Sequence, residues 1–222
     1  MLLNKTVRTV GLYECKTLYL KALIEGKEYP WEILPIIKPF VVHLIKECPD
    51  GFTLLSDGIL VGENVRIHPN AVMEPPVILG RGTEVRTGAY LRGCVITGDG
   101  CVIGNSTEVK NSVLLNGVQL PHYNYVGDSV LGNKAHLGAG AICSNLKADG
   151  KGVVIHGERE FETGLRKAGG FLGDGADIGC GCVVNPGTVV GKNTSVYPLT
   201  FLRGVYPADS IVKNTGEIVL RK

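Results

Sequence analysis

The sequence lacks a dominant charge, because 23 lysines and arginines stand against 21 aspartates and glutamates. Nucleic-acid-binding domains are usually strongly basic, so no nucleic-acid partner is expected. A run of the roughly 20 apolar residues that a membrane span needs is also missing. The longest apolar stretch, ILPIIKPFVVHLI at 33–45, contains two prolines and a lysine, and the start of the chain does not read as a signal peptide. We therefore expect a soluble, cytoplasmic protein without a membrane partner.

Cysteines and aromatic residues give two further exclusions. The seven cysteines are odd in number and scattered, which does not fit a secreted disulfide framework and favours a reducing compartment. Aromatic residues make up only 6% of the chain, whereas 31 residues are glycine. Such a composition suggests a repetitive architecture, and internal repeats must be sought before helices or strands are assigned.

A six-residue spacing of large apolar residues runs along most of the chain. Small or apolar residues stand four positions after nearly every one of them, and Gln119 is the exception in the first run. The large residues of that run are Val61, Ile67, Met73, Leu79, Val85, Leu91, Ile103, Val109 and Leu115. The spacing loses two residues within LPHYNYVGDSVLG (120–132). It then returns at Leu131, Leu137, Leu172, Ile178, Val184, Val190, Val196 and Leu202.

Hexads of this kind predict an all-β fold, a parallel β-helix whose coils of three hexads stack on one another. Residues 18 apart should then lie one above the other at about 4.8 Å. We predict a partly helical N-terminal cap over 1–57, the β-helix over 58–205 and a C-terminal tail over 206–222. The cap is expected to close the open end of the first coil, which would otherwise expose its interior and its strand edges.

The β-helix is predicted to contain a long loop at 146–170, rich in charge and glycine. A loop of that length inside a compact coil usually has a function. A solvated hairpin without a role is the alternative.

Two cations should stack on one wall of the β-helix. Arg92 and Lys110 each follow a large apolar residue, so both point outward, and they are 18 positions apart. Neighbouring cations repel unless an anion lies between them, and a guanidinium with an ammonium group suits a phosphate. The alternative is a solvated pair that is balanced by Glu108 or Asp99.

His122 is expected to face outward on a different wall, because it follows Pro121, the first residue of its hexad. Counting one coil back reaches Gly104, and one coil forward reaches Gly138. The histidine would then stand in a cleft without side chains above or below it. The two lost residues should make the wall locally concave around His122. A structural role for a lone histidine is the alternative.

The run GNSTEVKNSVLLNGVQLPHYNYVGDSVLGNKAHLGAGAICSNLKADGK, residues 104–151, carries a family resemblance. It resembles the acetyltransferase domain of bacterial N-acetylglucosamine-1-phosphate uridyltransferase/glucosamine-1-phosphate acetyltransferase, a hexapeptide-repeat acyltransferase. The similarity is ungapped over 92–151, includes the two shortened coils, and extends more weakly over about 60–205. The resemblance implies a left-handed coil, a homotrimer with clefts between neighbouring solenoids, and acetyl-CoA as donor substrate without a tightly bound cofactor or metal.

The resemblance also implies the activity, transfer of an acetyl group to the amine of glucosamine 1-phosphate or an epimer. The residues that it places in the site are His122 as general base, an amide near Ala139 as oxyanion donor, Arg92 and Lys110 at the phosphate, and Tyr125, Asn145 and Lys151 at the sugar. The amine must attack the thioester as the neutral species, so a base near pH 7 is needed, and imidazole suits that task. Backbone donors would stabilise the tetrahedral oxyanion, and no covalent acyl-enzyme is required.

Several positions depart from the family pattern. His136 stands where the family has an asparagine close to the sugar amine, so it is expected to line the amine pocket and to affect the choice of acceptor. Pro198 replaces a small residue in the region that contacts coenzyme A, and Cys180 is expected to point outward and to line the thioester site. Cys143 and Cys182 fall on core positions of their hexads. The uridyltransferase domain is absent from the sequence, so UDP-sugar formation is not expected.

Two other functional classes stay open. A non-catalytic sugar-phosphate-binding or regulatory protein would keep the cleft without turnover. A zinc carbonic anhydrase of this fold uses three histidines at a subunit interface, but His122, His136 and His156 lack that tight spacing, and no metal is expected.

Overall fold

The computed structural model describes residues 6–221. From residue 52 onward the chain forms a left-handed parallel β-helix with three walls, which confirms the predicted fold. Wall A contains the strands Phe52–Ser56, Ile59–Gly62, Val77–Leu79, Val95–Thr97, Ser112–Leu114, Val130–Leu131, Gly170–Leu172, Thr188–Val190 and Val205–Tyr206. Wall B contains Arg66–Ile67, Glu84–Val85, Val102–Asn105, Gln119–His122, His136–Leu137, Asp177–Ile178, Ser195–Val196, Ser210–Val212 and Ile218–Leu220. Wall C contains Val72–Glu74, Tyr90–Arg92, Glu108–Lys110, Tyr125–Gly127, Ile142–Cys143, Val183–Val184 and Phe201–Leu202.

The interior is a stack of the large hexad residues from the strands of the three walls, apart from the terminal strands Phe52–Ser56 and Ile218–Leu220, with small residues at the corners. Fully buried threonines and cysteines such as Thr83, Cys101 and Cys182 occupy the corner positions. Burying one large apolar side chain from every strand supplies the main driving force for this fold. The hexad pattern therefore predicts the interior correctly along most of the chain.

Both lost residues fall at the corner between walls C and A, the first before the predicted stretch 120–132 and the second within it. Val109 and Leu114, the inward residues on either side of that corner, are five positions apart instead of six, and Val126 and Leu131 repeat the short step. Leu114 therefore points into the coil, whereas Leu115, the predicted inward residue, packs on the outside of wall A. The residues from Leu114 to the second short step at Val126 are all shifted by one position relative to the prediction.

The N-terminal segment forms the helices Thr9–Leu12, Leu18–Ile24 and Ile37–Glu47 and a 3-10 helix at Pro30–Ile36. These helices pack on the outer face of wall A, which is itself apolar. Tyr13 and Tyr19 donate hydroxyl hydrogen bonds of 3.0 Å to the carbonyls of Val130 and Thr97 in that wall. The prediction that this segment closes the end of the first coil is therefore wrong for the helices.

The edge of the first coil in wall A is covered instead by the strand Phe52–Ser56, which pairs antiparallel with Ile59–Gly62. At the other end, Ile218–Leu220 pairs antiparallel with Ser210–Val212. Both of those last strands belong to wall B, so the segment predicted as a tail continues the β-helix. Within residues 6–221, no helix is long and apolar enough to cross a membrane.

The long loop at 146–170 contains an antiparallel hairpin, Val154–His156 with Glu160–Glu162. Its inner side is buried, because Val153, Ile155 and Phe161 belong to the same apolar cluster as the helices and wall A. A purely solvated hairpin is therefore excluded.

Candidate active site

Four of the predicted site residues form a single column along the corner between walls B and C. Three residues of the column each accept a turn hydrogen bond from the coil above: Gly140 N–H donates to His122 O at 3.1 Å, Gly181 N–H to Ala139 O at 2.9 Å and Leu199 N–H to Cys180 O at 2.9 Å. The column, in order along the solenoid, is Asn105, His122, Ala139, Cys180 and Pro198. Stacked coils are about 4.8 Å apart, so the column aligns a histidine, an amide and a thiol in a straight row.

The neighbours of His122 differ from those predicted. His122 pairs with Asn105 rather than Gly104, since the coil has already lost a residue before it, and Ala139 rather than Gly138 lies above it. His122 ends its strand, and the next residue, Tyr123, has a φ of 53°. This left-handed turn bends the chain sharply away and leaves the histidine exposed at the corner.

Asn124 ties the His122 coil to the Ala139 coil. It is 3% exposed, accepts a hydrogen bond from the His122 amide at 3.3 Å, and donates to the carbonyls of Gly138 and Ala141 at 2.8 and 3.2 Å. Sequence analysis missed this residue. Asn124 lies four positions after the inward residue Leu120, where a hexad normally has a small residue. An asparagine there stands out only once Leu120, rather than Pro121, is known to point inward.

The amide of Ala139 is available to a ligand. Ala139 is exposed, and among residues 6–221 its N–H donates to no acceptor. An unpaired amide one coil above His122 has the chemistry of an oxyanion donor. The predicted acid–base group and the predicted donor are therefore adjacent in the column.

Arg92 and Lys110 stack on wall C as predicted, because Leu91 pairs with Val109 in the strands that carry them. Each cation also has a carboxylate neighbour. Arg92 Nη1 lies 2.8 Å from Glu108 Oε1, and Lys110 Nζ lies 3.6 Å from Asp128 Oδ2. Glu108 therefore balances the charge of Arg92, as one alternative proposed. Asp99 does not, because it accepts hydrogen bonds from the Arg81 amide and the Tyr19 hydroxyl instead.

Tyr125 and Asn145 meet above Gly127, next to Lys110. A Cβ atom at Gly127 would lie 2.6 Å from both the Tyr125 hydroxyl and the Asn145 Nδ2 atom, so glycine leaves the room for this contact. Burial raises the pKa of Tyr125, and the nearby Glu108 carboxylate raises it further. Wall C thus brings together Arg92, Lys110, Tyr125 and Asn145.

Asp128 organises the buried side of this group. It is 5% exposed and accepts hydrogen bonds from Asn145 and, at 2.7 Å, from Asn111. The buried Asp128 carboxylate thus has a cation, Lys110, and two side-chain amide donors as partners. A buried charge without such partners would be strongly destabilising. Sequence analysis did not single out Asp128.

Two predicted contacts lie apart from the column and from wall C. His136 is on wall B opposite Gln119, and its Nδ1 atom lies 2.7 Å from Asp177 Oδ1. Lys151 is exposed in the long loop, where its amide donates to Asp149 at 3.0 Å. Among residues 6–221, neither side chain hydrogen-bonds to the column or to the wall C group.

The predicted cysteines lie partly in the core and partly at the surface, and the three histidines lie apart from one another. Cys143 and Cys182 are buried core residues as predicted, and burial raises the pKa of the Cys143 thiol to about 12. Cys180 is exposed with its thiol over Gly138. His122, His136 and His156 lie on different elements. Within the described part of the chain, no group of three or more metal-binding side chains comes together.

Comparison with known proteins agrees with the fold. The model of the bacterial transferase hexapeptide (six repeats) family matches residues 58–93, the first coils of the β-helix. It is 32% identical over 185 residues to the bifunctional sugar-1-phosphate nucleotidylyltransferase/acetyltransferase of Sulfurisphaera tokodaii, which covers 77% of this chain and 46% of that protein. It is 26% identical over 190 residues to the bifunctional protein GlmU of Methanococcus aeolicus, with coverages of 78% and 46%.

The chain thus spans about half the length of the curated relatives it matches. Among solved structures, it overlaps PerB from Caulobacter crescentus in complex with CoA and GDP-perosamine. That overlap covers 70% of this chain and 56% of PerB, at 22% identity and a TM-score of 0.43. So weak an overlap adds nothing to the site described above.

Proposed function

We propose that the protein is an acetyltransferase that moves an acetyl group from acetyl-CoA to the amine of a hexosamine 1-phosphate, glucosamine 1-phosphate or an epimer. The observation that carries this proposal is the column in which the free amide of Ala139 lies one coil above His122, at the corner that leads into wall C, the wall of Arg92 and Lys110. The acetyltransferase activity in the name of the Sulfurisphaera tokodaii relative supports it.

The proposed reaction uses the column as follows. The sugar amine loses a proton to the imidazole of His122 as its nitrogen attacks the thioester carbonyl. The Ala139 N–H donates to the oxyanion that forms, and the C–S bond then breaks as the amide C–N bond is completed. The proton on His122 passes to the departing thiolate, so the base returns to its starting state. General-base catalysis typically contributes 10²–10⁴-fold, and an oxyanion donor contributes about as much.

The acceptor phosphate is proposed to lie against Arg92 and Lys110. A guanidinium binds a phosphate through two parallel hydrogen bonds, while an ammonium group adds a point charge. The phosphate would have to compete with Glu108 for Arg92, since the two side chains form an ion pair without ligand. Tyr125 and Asn145, which border the same cations, are proposed to contact the sugar ring.

The donor is proposed to follow the column upward from Ala139, past Cys180 and Pro198. The exposed thiol and the proline ring offer an apolar edge for the arm that carries the thioester. This direction leaves the lower part of wall C to the acceptor, so that the two substrates meet at the level of His122 and Ala139.

A homotrimer is proposed because the site lies on an open wall. Wall A is covered by helices, which leaves walls B and C to face a partner. Around the column, the side chains of Tyr123 and Leu199 are 65% and 79% exposed, which a second copy of the chain could cover. His136 and Lys151, which stand apart within one chain, would complete the site from a neighbouring chain. Light scattering should give a mass three times 23.7 kDa; a fully active monomer would contradict this proposal.

The activity is tested by thiol release from acetyl-CoA with a panel of amino sugars, each with and without a 1-phosphate. Release is expected with a hexosamine 1-phosphate. Binding of the sugar phosphate without thiol release would instead favour the non-catalytic binder.

A further inference from the structure

His136 and Asp177 form a hydrogen-bonded pair on the outer face of wall B. They stand on neighbouring coils, because the strand His136–Leu137 pairs in register with Asp177–Ile178. The Nδ1 atom of His136 lies 2.7 Å from Asp177 Oδ1, and the two side chains are 43% and 56% exposed. The pair is therefore accessible to a substrate.

The contact decides how the imidazole of His136 uses its two nitrogen atoms. An ionised carboxylate can only accept a hydrogen bond, so Nδ1 carries a hydrogen, and Nε2 has a lone pair whenever the ring is neutral. Among residues 6–221, no group hydrogen-bonds to Nε2. A carboxylate that holds a histidine in this way also stabilises the imidazolium that forms when Nε2 takes a proton.

His122 has a different environment. Its backbone amide donates to Asn124 at 3.3 Å, but within the described part of the chain neither ring nitrogen takes part in a hydrogen bond or an ion pair. An imidazolium at His122 would lack the counter-ion that Asp177 gives to His136. The two histidines therefore suit different protons: His122 one that is passed on at once, and His136 one that is kept.

The proposed reaction must remove two protons from the acceptor. The α-amino group, which like the amine of a hexosamine stands next to electron-withdrawing substituents, has a pKa of about 7.7–8.0. The acceptor is therefore mostly an ammonium ion at pH 7, and it has to lose one proton before its nitrogen can attack. The second proton leaves during the attack, to His122. The scheme so far contains no group that takes the first.

The pair lies on a face that the proposed site can use. Walls B and C are the walls that the helices leave uncovered, and in the proposed homotrimer wall B of one chain would face the cations on wall C of the next. His136 shares its coil with Ala139, three residues later, which is about 10 Å along the wall. Gly138, between them, has no side chain to fill that distance. A sugar bound between the two walls would therefore lie alongside the pair.

Other charged or titratable groups border the pair, in the neighbouring turns and strands. They are Lys134 in the turn before His136, Asp174 and Lys192 at the same corner, Glu14 and Lys16 of the N-terminal segment, Arg221 at Ser195, and Tyr197. Within residues 6–221, none of them forms a hydrogen bond or an ion pair with the side chain of His136 or of Asp177. Asp177 is therefore the charge that acts on His136 most directly.

We propose that His136 takes the first proton from the ammonium group of the acceptor and keeps it during the attack, with Asp177 as the positioning residue that balances the imidazolium. The N–H bond of the ammonium breaks, its electron pair stays on the amine nitrogen, and the proton binds Nε2 of His136. His122 then takes the second proton and returns it to the departing thiolate. His136 releases its proton to water after the product has left, so one proton appears in solution for each acetyl group transferred. This inference rests on the proposed function.

Asp177→Asn tests the pair, because an amide keeps the shape of the side chain but cannot balance an imidazolium. We expect kcat/KM for glucosamine 1-phosphate to fall at least about fivefold below that of the unchanged protein at pH 6.5. At pH 9, where the acceptor amine is already neutral, the two values should agree within about twofold. Both proteins contain His122, so its own titration cancels in the ratio.

Asp57→Asn is the matched control, since it removes an exposed aspartate from the turn between the first two strands of wall A. Its kcat/KM should equal that of the unchanged protein at every pH. A ratio for Asp177→Asn that does not change with pH would overturn the inference, because a purely structural role is independent of the protonation state of the acceptor.

A spectroscopic arm needs no turnover and separates this inference from the proposed function. The full chain is labelled with ¹⁵N-histidine, and the ring signals of His136 are assigned by their loss in His136→Asn. Adding glucosamine 1-phosphate without a donor at pH 7.5 should move these signals toward imidazolium values, and should not do so in Asp177→Asn.

The outcomes of the two arms are distinct. If the His136 signals shift as expected but acetyl-CoA releases no thiol, the proposed function fails and the proton-accepting pair stands. If glucosamine 1-phosphate binds and is acetylated while His136 keeps its charge state, the pair is overturned and the proposed function stands. Absence of any binding of the sugar phosphate would overturn both.

Discussion

The β-helix contains two kinds of coil, and they bury different polar residues. In the regular coils, from residue 73 to 109 and from 184 to 202, the buried polar side chains are threonines, which bond to nearby carbonyls. In the shortened coils and their borders, from 110 to 145, they include Asn124, Asp128 and Asn145. Every buried asparagine or aspartate of the described chain lies there.

The shortened coils therefore contain a buried polar network where the regular coils have small or apolar residues. Losing one residue at the corner between walls C and A puts Asn111 and Asp128 in left-handed turns, with φ of 44° and 45°, in hydrogen-bond contact with each other. Satisfied buried networks rigidify their surroundings. The proposed base, the free amide and the cation Lys110 all lie on these coils, so their positions depend on the network rather than on hexad packing alone.

The largest expected effect is that of His122→Ala, which removes the proposed base from the shortened coils. We expect kcat to fall by about 10²–10⁴-fold with little change in acceptor binding, because only proton transfer is lost. His43→Ala, which alters an exposed histidine of the N-terminal helices, is the control and should leave kcat unchanged. Steady-state thiol release measures both. Equal kcat values for the two variants would remove His122 from the mechanism.

Arg92→Ala and Lys110→Ala should each weaken the phosphorylated acceptor roughly 10- to 100-fold, as expected when a charge-assisted hydrogen bond of about 1.5–3 kcal/mol is lost. Affinity for the sugar without phosphate should stay the same in both variants. Comparing KM for the two sugars checks this. An equal loss for both sugars would contradict the phosphate assignment.

Asn124→Ala should destabilise the protein by about 1–3 kcal/mol, because the carbonyls of Gly138 and Ala141 lose their buried donor. Thr83→Ala makes the matched change at the small position of a regular hexad, where the hydroxyl donates one longer hydrogen bond, of 3.3 Å, to the Gly98 carbonyl of the next coil, and should cost less. Denaturant unfolding compares the two. If Thr83→Ala costs as much, the polar network of the shortened coils has no special role.

The smallest expected effect belongs to His136. Converting it to asparagine should change the glucosamine-to-galactosamine ratio of kcat/KM by several-fold, since a fixed amide carbonyl replaces a bulkier ring near the proposed amine pocket. The Asp177 contact of His136 would be altered as well, so Asp177→Asn is a useful control. An unchanged ratio in the His136 variant would place that residue outside the site.

The hexad pattern predicts the walls and the interior well because each inward residue must be apolar, a requirement that is visible in the sequence. It misplaces the first shortened step because Leu114 and Leu115 are both apolar, so periodicity alone cannot tell which one points inward. That error of one position then gives His122 the wrong neighbours. Alignment of Cys180 and Pro198 above Ala139 follows only once the register is known.

Contacts between distant parts of the chain are the other feature that the sequence pattern does not predict. An amphipathic N-terminal segment predicts an apolar face but does not say what that face covers, and the contact of Trp31 with Phe161 joins distant parts of the chain. The position of the hairpin depends on that contact, so no local pattern predicts it.

The central claim is that the coils around His122 carry out acetyl transfer to an amino-sugar phosphate. Its most direct test is mass spectrometry of the acceptor after incubation of the full chain with acetyl-CoA and glucosamine 1-phosphate or galactosamine 1-phosphate. We expect an N-acetylated hexosamine 1-phosphate formed in equal amount to free coenzyme A, and almost none with His122→Ala. Bound but unmodified sugar phosphate, with the thioester intact, would contradict it.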